Sequence, residues 1–176
     1  MEKGVIINGV KWATCNVDAP DTFAAKPEDS GMFYQWNRKK AWQATGAVTG
    51  WDRSTPAGHT WAKSNDPSPA GWRVPTDNEF EKLLDTAKVS QEWTTLNGVK
   101  GRKFTDRTTG NSLFMPAEGE RIDDGTLNQA GSIGTYWSST SSGTSYAYSL
   151  GFLKYGADRN SFDVREYGRS IRAVAE

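Results

Sequence analysis

The sequence predicts an α+β fold with a small twisted antiparallel sheet, one or two helices and long ordered loops. Three observations lead to this prediction. Asn-Gly pairs stand between short apolar runs, as they do in antiparallel hairpins. One stretch, Thr76 to Lys88, has the apolar spacing of an amphipathic helix. Eighteen Gly and seven Pro among 176 residues indicate many turns and little helix.

The composition suits one globular domain that spans residues 1–176. Only 36 % of the residues are hydrophobic, but eight Trp, seven Phe and six Tyr add large rings. Aromatic side chains bury a large area each, so relatively few of them build a core. Lys and Arg total 21, and Asp and Glu also total 21. This balance leaves no basic footprint for a nucleic acid, and no apolar run has the length of a membrane span. We therefore expect neither nucleic-acid binding nor membrane insertion.

The first part of the chain predicts short strands joined by loops. Val5 to Val17 has the pattern of two strands around an Asn8-Gly9 turn, a strong hairpin signal. Met32 to Trp36 alternates like a short strand. Residues 39–69 are irregular, and such a long stretch is uncommon unless its own side chains fix it. We expect three indole rings to pin it to the core: Trp42, Trp51 and Trp61.

The predicted helix follows this irregular stretch. Thr76 is the expected N-cap, and Glu79 three residues later completes a capping box. The apolar residues that follow fall on one helical face, and we expect the helix to end near Lys88. These residues are Phe80, Leu83, Leu84 and Ala87.

The last third predicts strands and a binding face. From Tyr146 to Leu153 the residues alternate, so Tyr148, Leu150 and Phe152 are expected to face the core while Ser149 and Gly151 face solvent. The loop that follows carries aromatic and Arg side chains, types that anchor interfaces. We predict that this face binds an unidentified macromolecule, a protein or a glycan, with Ser141 to Ser145 at its edge. The predicted ligand-binding residues are Ser149, Gly151, Tyr155, Asp158, Arg159, Asn160, Phe162 and Arg165.

The usual signatures of catalysis and of bound cofactors are missing. His59 is the single histidine, in a polar loop where we expect it at the surface. Cys15 is the single cysteine, in an apolar segment where we expect a small buried side chain. There is no zinc-type spacing and no Gly-rich phosphate loop before a helix. The sequence therefore predicts no catalytic residue, no cofactor and no metal.

One acidic cluster leaves two alternatives open. Paired carboxylates can act as acid and base in glycoside hydrolysis, here Glu118, Glu120 and Asp123. Clustered carboxylates also coordinate calcium, but the calcium-loop spacing is absent. Since turn carboxylates commonly bond to their own backbone, we interpret Glu118, Glu120, Asp123 and Asp124 as a solvated polar turn.

Four tryptophans stand in blocks flanked by Gly or apolar residues. A buried indole is the common fate of Trp in such segments, although exposed Trp can stack on sugars. We therefore predict that these four belong to the scaffold and not to a binding site: Trp12, Trp36, Trp72 and Trp137.

Five blocks in this order resemble the Fibrobacter succinogenes major paralogous domain and its Bacteroides relatives. The blocks are Asn8 to Thr14, Gly31 to Trp36, Asp66 to Thr76, Tyr136 to Ser139 and Arg169 to Arg172. The resemblance implies a C-type lectin-like fold. Relatives often carry Cys where this chain has Ser68, which implies that Cys15 lacks a disulfide partner here.

A sharper resemblance is to variable proteins of diversity-generating retroelements in gut Bacteroides and their phages. In such proteins the adenine-containing codons of a C-terminal region are rewritten while the scaffold stays fixed. The resemblance implies a variable-type surface in about 128–169, displayed by a receptor or adhesin module. No secretion signal precedes Val5, so the expected location, the cell surface or a virion, depends on the resemblance. The alternative is a carbohydrate-binding module of a cell-surface glycan system.

Overall fold

The computed structural model describes residues 1–176, and the fold is rich in β-structure. Strands make up 41 % of the chain and helices 6 %, in several small antiparallel sheets. The α+β prediction is therefore wrong. The predicted helix is short because Asp85 turns the chain. Its carboxylate accepts the backbone N–H of Ala87 and its carbonyl accepts that of Val89, where a strand begins.

The helical elements are α1 (Asp77–Leu83) and one turn of 3-10 helix (Lys63–Asn65). The strands are β1 (Val5–Ile7), β2 (Val10–Trp12), β3 (Met32–Phe33), β4 (Trp42–Gln43), β5 (Trp72–Arg73), β6 (Val89–Leu96), β7 (Val99–Asp106), β8 (Ser112–Pro116), β9 (Glu120–Arg121), β10 (Leu127–Asn128), β11 (Gly134–Ser142), β12 (Tyr146–Leu153), β13 (Gly156–Val164) and β14 (Val174–Ala175).

The strands form three larger sheets and two small pairs. A four-stranded sheet has the order β1-β2-β14-β5, which brings the first and last strands of the chain together. The second sheet, β6-β7-β8, is named here the regular sheet, and the third, β11-β12-β13, the C-terminal sheet. Strands β3 and β4 pair with each other, as do β9 and β10.

The hairpin predicted at the start of the chain is confirmed. Strands β1 and β2 pair in antiparallel register around Asn8 and Gly9, whose φ angles are 46° and 79°. Positive φ at both central residues is typical of a type I′ turn, whose twist matches that of the paired strands. The second strand ends at Trp12, earlier than predicted.

The capping box is also confirmed. The Thr76 hydroxyl accepts the Glu79 N–H at 3.3 Å, and the Glu79 carboxylate accepts the Thr76 N–H at 2.8 Å. Arg73 donates two bonds to the same carboxylate, at 2.7 and 2.9 Å. Phe80 and Leu83 are buried as predicted, whereas Ala87 lies beyond the helix and is exposed.

Aromatic rings fill much of the core, as the composition indicates. Trp12, Trp36 and Trp137 are fully buried, whereas Trp72 is half-buried. The irregular stretch 39–69 is held by its own rings as predicted, because Trp42 and Trp61 are buried. Trp51 is half-buried against Trp42, with ring centroids 4.6 Å apart.

Four buried arginines hold irregular segments in place: Arg121, Arg165, Arg169 and Arg172. Arg121 shows how this works. Its guanidinium donates to the carbonyl oxygens of Gln43, Thr45, Gly46 and Gly125, at 2.8 to 3.2 Å. Backbone groups outside regular structure need such partners when they are buried. Order in these loops thus comes from side chains that are distant in sequence.

Candidate ligand-binding surface

The C-terminal sheet carries most of the large hydrophobic residues that are exposed. Six large hydrophobic residues are exposed, and four of them lie on the hairpin formed by β12 and β13. Their exposed fractions are 40 % for Tyr146, 42 % for Leu153, 87 % for Tyr155 and 74 % for Phe162. We name the exposed side chains of this hairpin the hairpin surface: Tyr146, Leu153, Lys154, Tyr155, Asp158, Asn160 and Phe162.

An irregularity in strand pairing shapes this surface. Ser149 pairs with Asn160, but Ala147 pairs with Asp163, so β13 contains one residue more than β12 over this span. Such a bulge bends the strand and changes where its side chains point. Within the bulged span of β13, the Phe162 ring meets the Tyr146 ring edge to face, with centroids 6.2 Å apart.

A shallow apolar cavity of about 450 Å³ lies at the hairpin tip. Gly151, Tyr155 and Asp158 line it together with Ile133, Phe152 and Leu153. A side chain at Gly151 would meet nothing within 4 Å of its Cβ, so the absent side chain leaves this space open. The volume falls in the usual range for small ligand sites, about 300–1,000 Å³.

Five of the eight predicted binding residues lie on the hairpin surface or in the cavity beside it. Tyr155, Asp158, Asn160 and Phe162 are exposed, and half-buried Gly151 lines the cavity. Arg159 is half-buried and differs from these, because its guanidinium lies 2.5 Å from the Asp77 carboxylate of α1. Burial raises the pKa of Asp77, and the Arg159 charge acts against that rise. Arg159 therefore ties β13 to the helix.

Ser149 does not face solvent, and its expected exposure is wrong. The residue is fully buried, and its hydroxyl donates to the Asp163 carboxylate. Strand alternation places Ser149 on the other face of β12 from Leu150. Asp163 and the segment behind it cover this second face as well. Both faces of β12 are therefore covered at this point, and alternation alone does not predict exposure there.

Arg165 is also buried, and its predicted place on an open face is wrong. Its guanidinium donates to four backbone carbonyls at 2.9 to 3.1 Å, those of Pro56, Gly58, Gly143 and Tyr146. It also lies 4.2 Å from the centroid of the Trp36 ring. Arg165 thus joins the loop at 56–58 to the turn between β11 and β12, beneath the hairpin surface.

A buried ionic network under the hairpin was missed by sequence reasoning. Arg169 contacts the Asp163 carboxylate at 2.6 Å and the Glu120 carboxylate at 3.3 Å. The Asn160 side-chain amide donates to Asp163 at 2.9 Å. Burial raises the pKa of Asp163, and the Arg169 charge acts against that rise. One signal in the sequence could have indicated this network. Two arginines, Arg165 and Arg169, stand on either side of an aromatic residue, close to an apolar end of the chain.

The predicted edge of the binding face, Ser141 to Ser145, lies beside the hairpin surface. Ser141 and Ser142 are half-buried, and the next three residues are exposed. The Ser141 hydroxyl donates to the His59 carbonyl at 2.7 Å. His59 itself is exposed, as predicted.

The acidic cluster is not the uniformly solvated turn that the sequence predicts. Asp123 and Asp124 are exposed, but Glu120 is buried in the Arg169 network, and Glu118 is half-buried. Burial raises the pKa of Glu118 to about 7, and the charge of Asp29 adds to the rise. Glu118 and Glu120 thus have different charged neighbours.

No three His, Cys, Asp or Glu residues gather in a way that could hold a metal ion. Cys15 is a free, buried cysteine, as expected, and burial raises the pKa of its thiol. None of the helices has the length and apolarity of a membrane span.

Together, the fold and the surface define a β-rich domain that displays an aromatic hairpin on an arginine-anchored scaffold. Residues 7–175 match the model of the Fibrobacter succinogenes major domain, and the chain belongs to this family. The family resemblance recognised in the sequence is therefore confirmed. No curated protein and no solved structure matches the chain.

Proposed function

We propose that this chain is a non-enzymatic binding domain whose macromolecular ligand, a protein or a glycan, docks on the hairpin surface. The observation that carries the proposal is the concentration of exposed apolar side chains on one hairpin, four of six in the molecule. Contiguous exposed apolar groups rimmed by polar residues mark interaction sites, and the Tyr146 and Phe162 rings contact each other on this hairpin. Tyr supplies rigid contact area, and small polar residues supply adaptable hydrogen bonds.

Exposed rings of the hairpin surface can be replaced with little effect on the fold, because the side chains that support the hairpin are buried beneath it. Tyr155 and Phe162 project from β12–β13 with little burial, whereas Ser149, Asp163 and Arg165 are buried below them. Changing Tyr155 or Phe162 leaves these buried bonds in place, and surface changes of this kind shift stability by about 0.5 kcal/mol or less. This separation supports our further proposal that the chain is a variable protein of a diversity-generating retroelement. It would then act as a receptor or adhesin module at a cell surface or on a virion.

The neighbouring DNA tests the retroelement part. We expect a reverse-transcriptase gene and a near-copy of the 3′ end of this gene, with differences at adenines of the copy. The differences are expected at the codons of the hairpin surface and not at those of Ser149, Arg165 and Arg169. A genomic neighbourhood without either feature, or differences spread over the buried codons, would contradict this part of the proposal.

Paired variants test the binding part. We expect the wild-type domain to bind a subset of an array of purified bacterial surface proteins and glycans. The double variant Tyr155→Ser, Phe162→Ser should lose this binding while its melting curve stays close to the wild type. The matched control Glu92→Ser, Lys100→Ser changes two exposed residues of the regular sheet and should bind as the wild type does. Equal binding by both double variants would show that the ligand docks elsewhere.

The non-enzymatic part is supported by the acidic cluster. A glycoside hydrolase needs two carboxyl groups that face one scissile bond, about 5–9.5 Å apart. Here Glu120 is engaged by buried Arg169, whereas Glu118 faces the charge of Asp29. We expect no release of reducing sugar from neutral or acidic polysaccharides, and release that Glu118→Gln abolishes would overturn the proposal.

A further inference from the structure

A second concavity, away from the hairpin surface, lies beside the four-stranded sheet. Its volume is about 610 Å³, and no residue of the hairpin surface lines it. Trp72 and Arg73 of β5 form part of its wall, with Asp66 from the preceding loop. Asp21 and Lys39 approach from another part of the chain. The volume is again within the usual range for small ligand sites, about 300–1,000 Å³.

The charged groups on this wall compensate one another. Lys39 lies 3.1 Å from Asp21, and Lys63 lies 3.3 Å from Glu176. Arg73 is paired with Glu79 of α1. The Asp66 carboxylate accepts two backbone N–H groups, those of Ser68 and Val74, at 2.8 and 2.9 Å. Three cationic and three anionic side chains line the wall, so it carries no net charge and suits a neutral ligand.

The same wall keeps hydrogen-bonding capacity. A lysine ammonium has three donors, and a carboxylate has two oxygens that accept. The Lys39–Asp21 pair joins one ammonium to one carboxylate oxygen, which leaves donors on the lysine and acceptor positions on the aspartate. Hydroxyl groups act as donor and acceptor at once, so they can bond to both members of an ion pair without separating them.

Trp72 supplies an apolar ring among these polar groups. Its orientation is fixed by the Phe23 ring, which meets it edge to face with centroids 5.5 Å apart, and by close packing against Gly4. The indole N–H groups of Trp36, Trp61 and Trp137 donate to backbone carbonyls. That of Trp72 has no acceptor in the chain, which it shares with three buried indole N–H groups, but Trp72 differs from them in lining this concavity. A fixed, half-exposed ring with a free donor is suited to a ligand that is apolar on one face and hydroxylated at its edge.

We propose that this cleft binds a saccharide unit of a neutral polysaccharide, with the ring of Trp72 as its platform and the Lys39–Asp21 pair as hydrogen-bonding partner. The site is separate from the hairpin surface, so the proposal does not depend on the function proposed above. It also revises the role predicted for Trp72, which serves both the scaffold and the ligand.

Nitrogen-15 correlation spectra of the whole domain test this site directly. Eight tryptophans give eight indole signals, and Trp72→Phe assigns its own by removing it. The probes are cellohexaose, xylohexaose and mannohexaose, with hexagalacturonate as the charged probe, each added to about 10 mM, well above a Kd of ~1 mM. We expect at least one neutral probe to shift the Trp72 signal, and the charged probe to leave it unchanged.

Trp93→Phe is the matched control, because Trp93 is also half-buried and also meets a phenylalanine edge to face. Trp72→Phe should weaken binding of the neutral probe at least tenfold, and Trp93→Phe should not. If Trp72→Phe loses its dispersed spectrum, Lys39→Ala, a change on the exposed rim, takes its place with the same expected loss. The double variant Tyr155→Ser, Phe162→Ser should bind the sugar normally.

Two results of the titration would overturn the proposal: no neutral probe shifts the Trp72 signal, or only the charged probe shifts it. Two results with variants would also overturn it: the Trp93 variant loses as much binding as the Trp72 variant, or the hairpin variant loses sugar binding. Because the hairpin variant is tested with sugar and on the array separately, failure of this site is distinguishable from failure of the proposed function.

Discussion

The two three-stranded sheets are alike in strand number and antiparallel pairing but differ in regularity and in what they expose. In the regular sheet, β6 and β7 pair without interruption from Val89–Asp106 to Leu96–Val99, and no large apolar side chain is exposed. In the C-terminal sheet, the register shifts once in each strand pair, and the hairpin exposes four large apolar side chains. The hairpin surface therefore lies on the less regular of the two sheets.

The two sheets also differ in how buried arginines anchor them, and the anchoring is more extensive at the less regular sheet. Buried Arg102 of the regular sheet donates to the Gln91 side chain and to the Leu153 carbonyl. Arg165, below the C-terminal sheet, donates to four backbone carbonyls, and Arg169 joins two buried carboxylates nearby. Where strand pairing is interrupted, polar side chains take over the role of holding the backbone.

The largest expected effect is on these anchors. Arg165→Ala should lower the free energy of unfolding by about 3–5 kcal/mol, since several buried carbonyls lose a charged donor. Arg102→Ala should cost about 1–2 kcal/mol, because fewer acceptors are left without a donor. Urea unfolding of both variants measures the difference. Arg165→Lys keeps the charge without the planar fork and should fall between wild type and Arg165→Ala. Equal losses at the two arginines would contradict the comparison.

One glycine in each sheet tests how tightly that sheet is packed. A Cβ at Gly101 of β7 would lie 2.3 Å from the Met115 carbonyl oxygen, whereas a Cβ at Gly151 of β12 would meet nothing. Gly101→Ala should therefore cost about 2–3 kcal/mol through overpacking. Gly151→Ala should be neutral or gain up to ~1 kcal/mol, because Ala restricts the unfolded chain. Thermal melts of the pair check this, and a similar loss in both would show that the hairpin is packed as tightly as the regular sheet.

The connection between the sheets carries a group sensitive to pH. Burial raises the pKa of Glu118 to about 7, above its ordinary 4.5. The folded state therefore holds this proton more tightly, so stability is lost as pH rises from about 4.5 to about 7. After discounting for partial exposure, the loss is about 1–2 kcal/mol at pH 8.

Glu118→Gln removes this loss. The variant should melt roughly 2–8 °C above the wild type at pH 8 and near the wild-type temperature at pH 4. Other carboxyl groups titrate in both proteins, so the difference between the two melting curves is the quantity to compare. A difference that does not change with pH would contradict the assignment.

The smallest expected effect is on the hairpin surface itself. Tyr155→Ser and Phe162→Ser should each change the free energy of unfolding by about 0.5 kcal/mol or less, because these side chains lose little contact. Urea unfolding gives the value, with Glu92→Ser as the control on the regular sheet. A loss above ~1 kcal/mol would show that the exposed rings stabilise the fold, and the separation of display from support would then fail.

Local signals predicted the local structure well. The Asn8-Gly9 hairpin and the Thr76–Glu79 capping box follow from backbone preferences and short-range bonds, which a few neighbouring residues determine. The extent of the helix was overestimated because the apolar spacing continues past Leu84, while the Asp85 turn ends the helix. The binding-face prediction stays a prediction, but its exposed members are Tyr155, Asp158, Asn160 and Phe162.

By itself, the sequence determined the family of this protein, its hairpin and helix cap, and the burial of most of its tryptophans. These features depend on residues close together or on rings that are rarely left in water. The burial of Ser149 and Arg165 and the contact between Glu120 and Arg169 become visible when the whole chain is folded. The physical reason is that a strand's second face and a charged side chain's partner depend on segments far away in sequence. Alternation predicts the direction of a side chain, whereas the packing of those distant segments decides whether water reaches it.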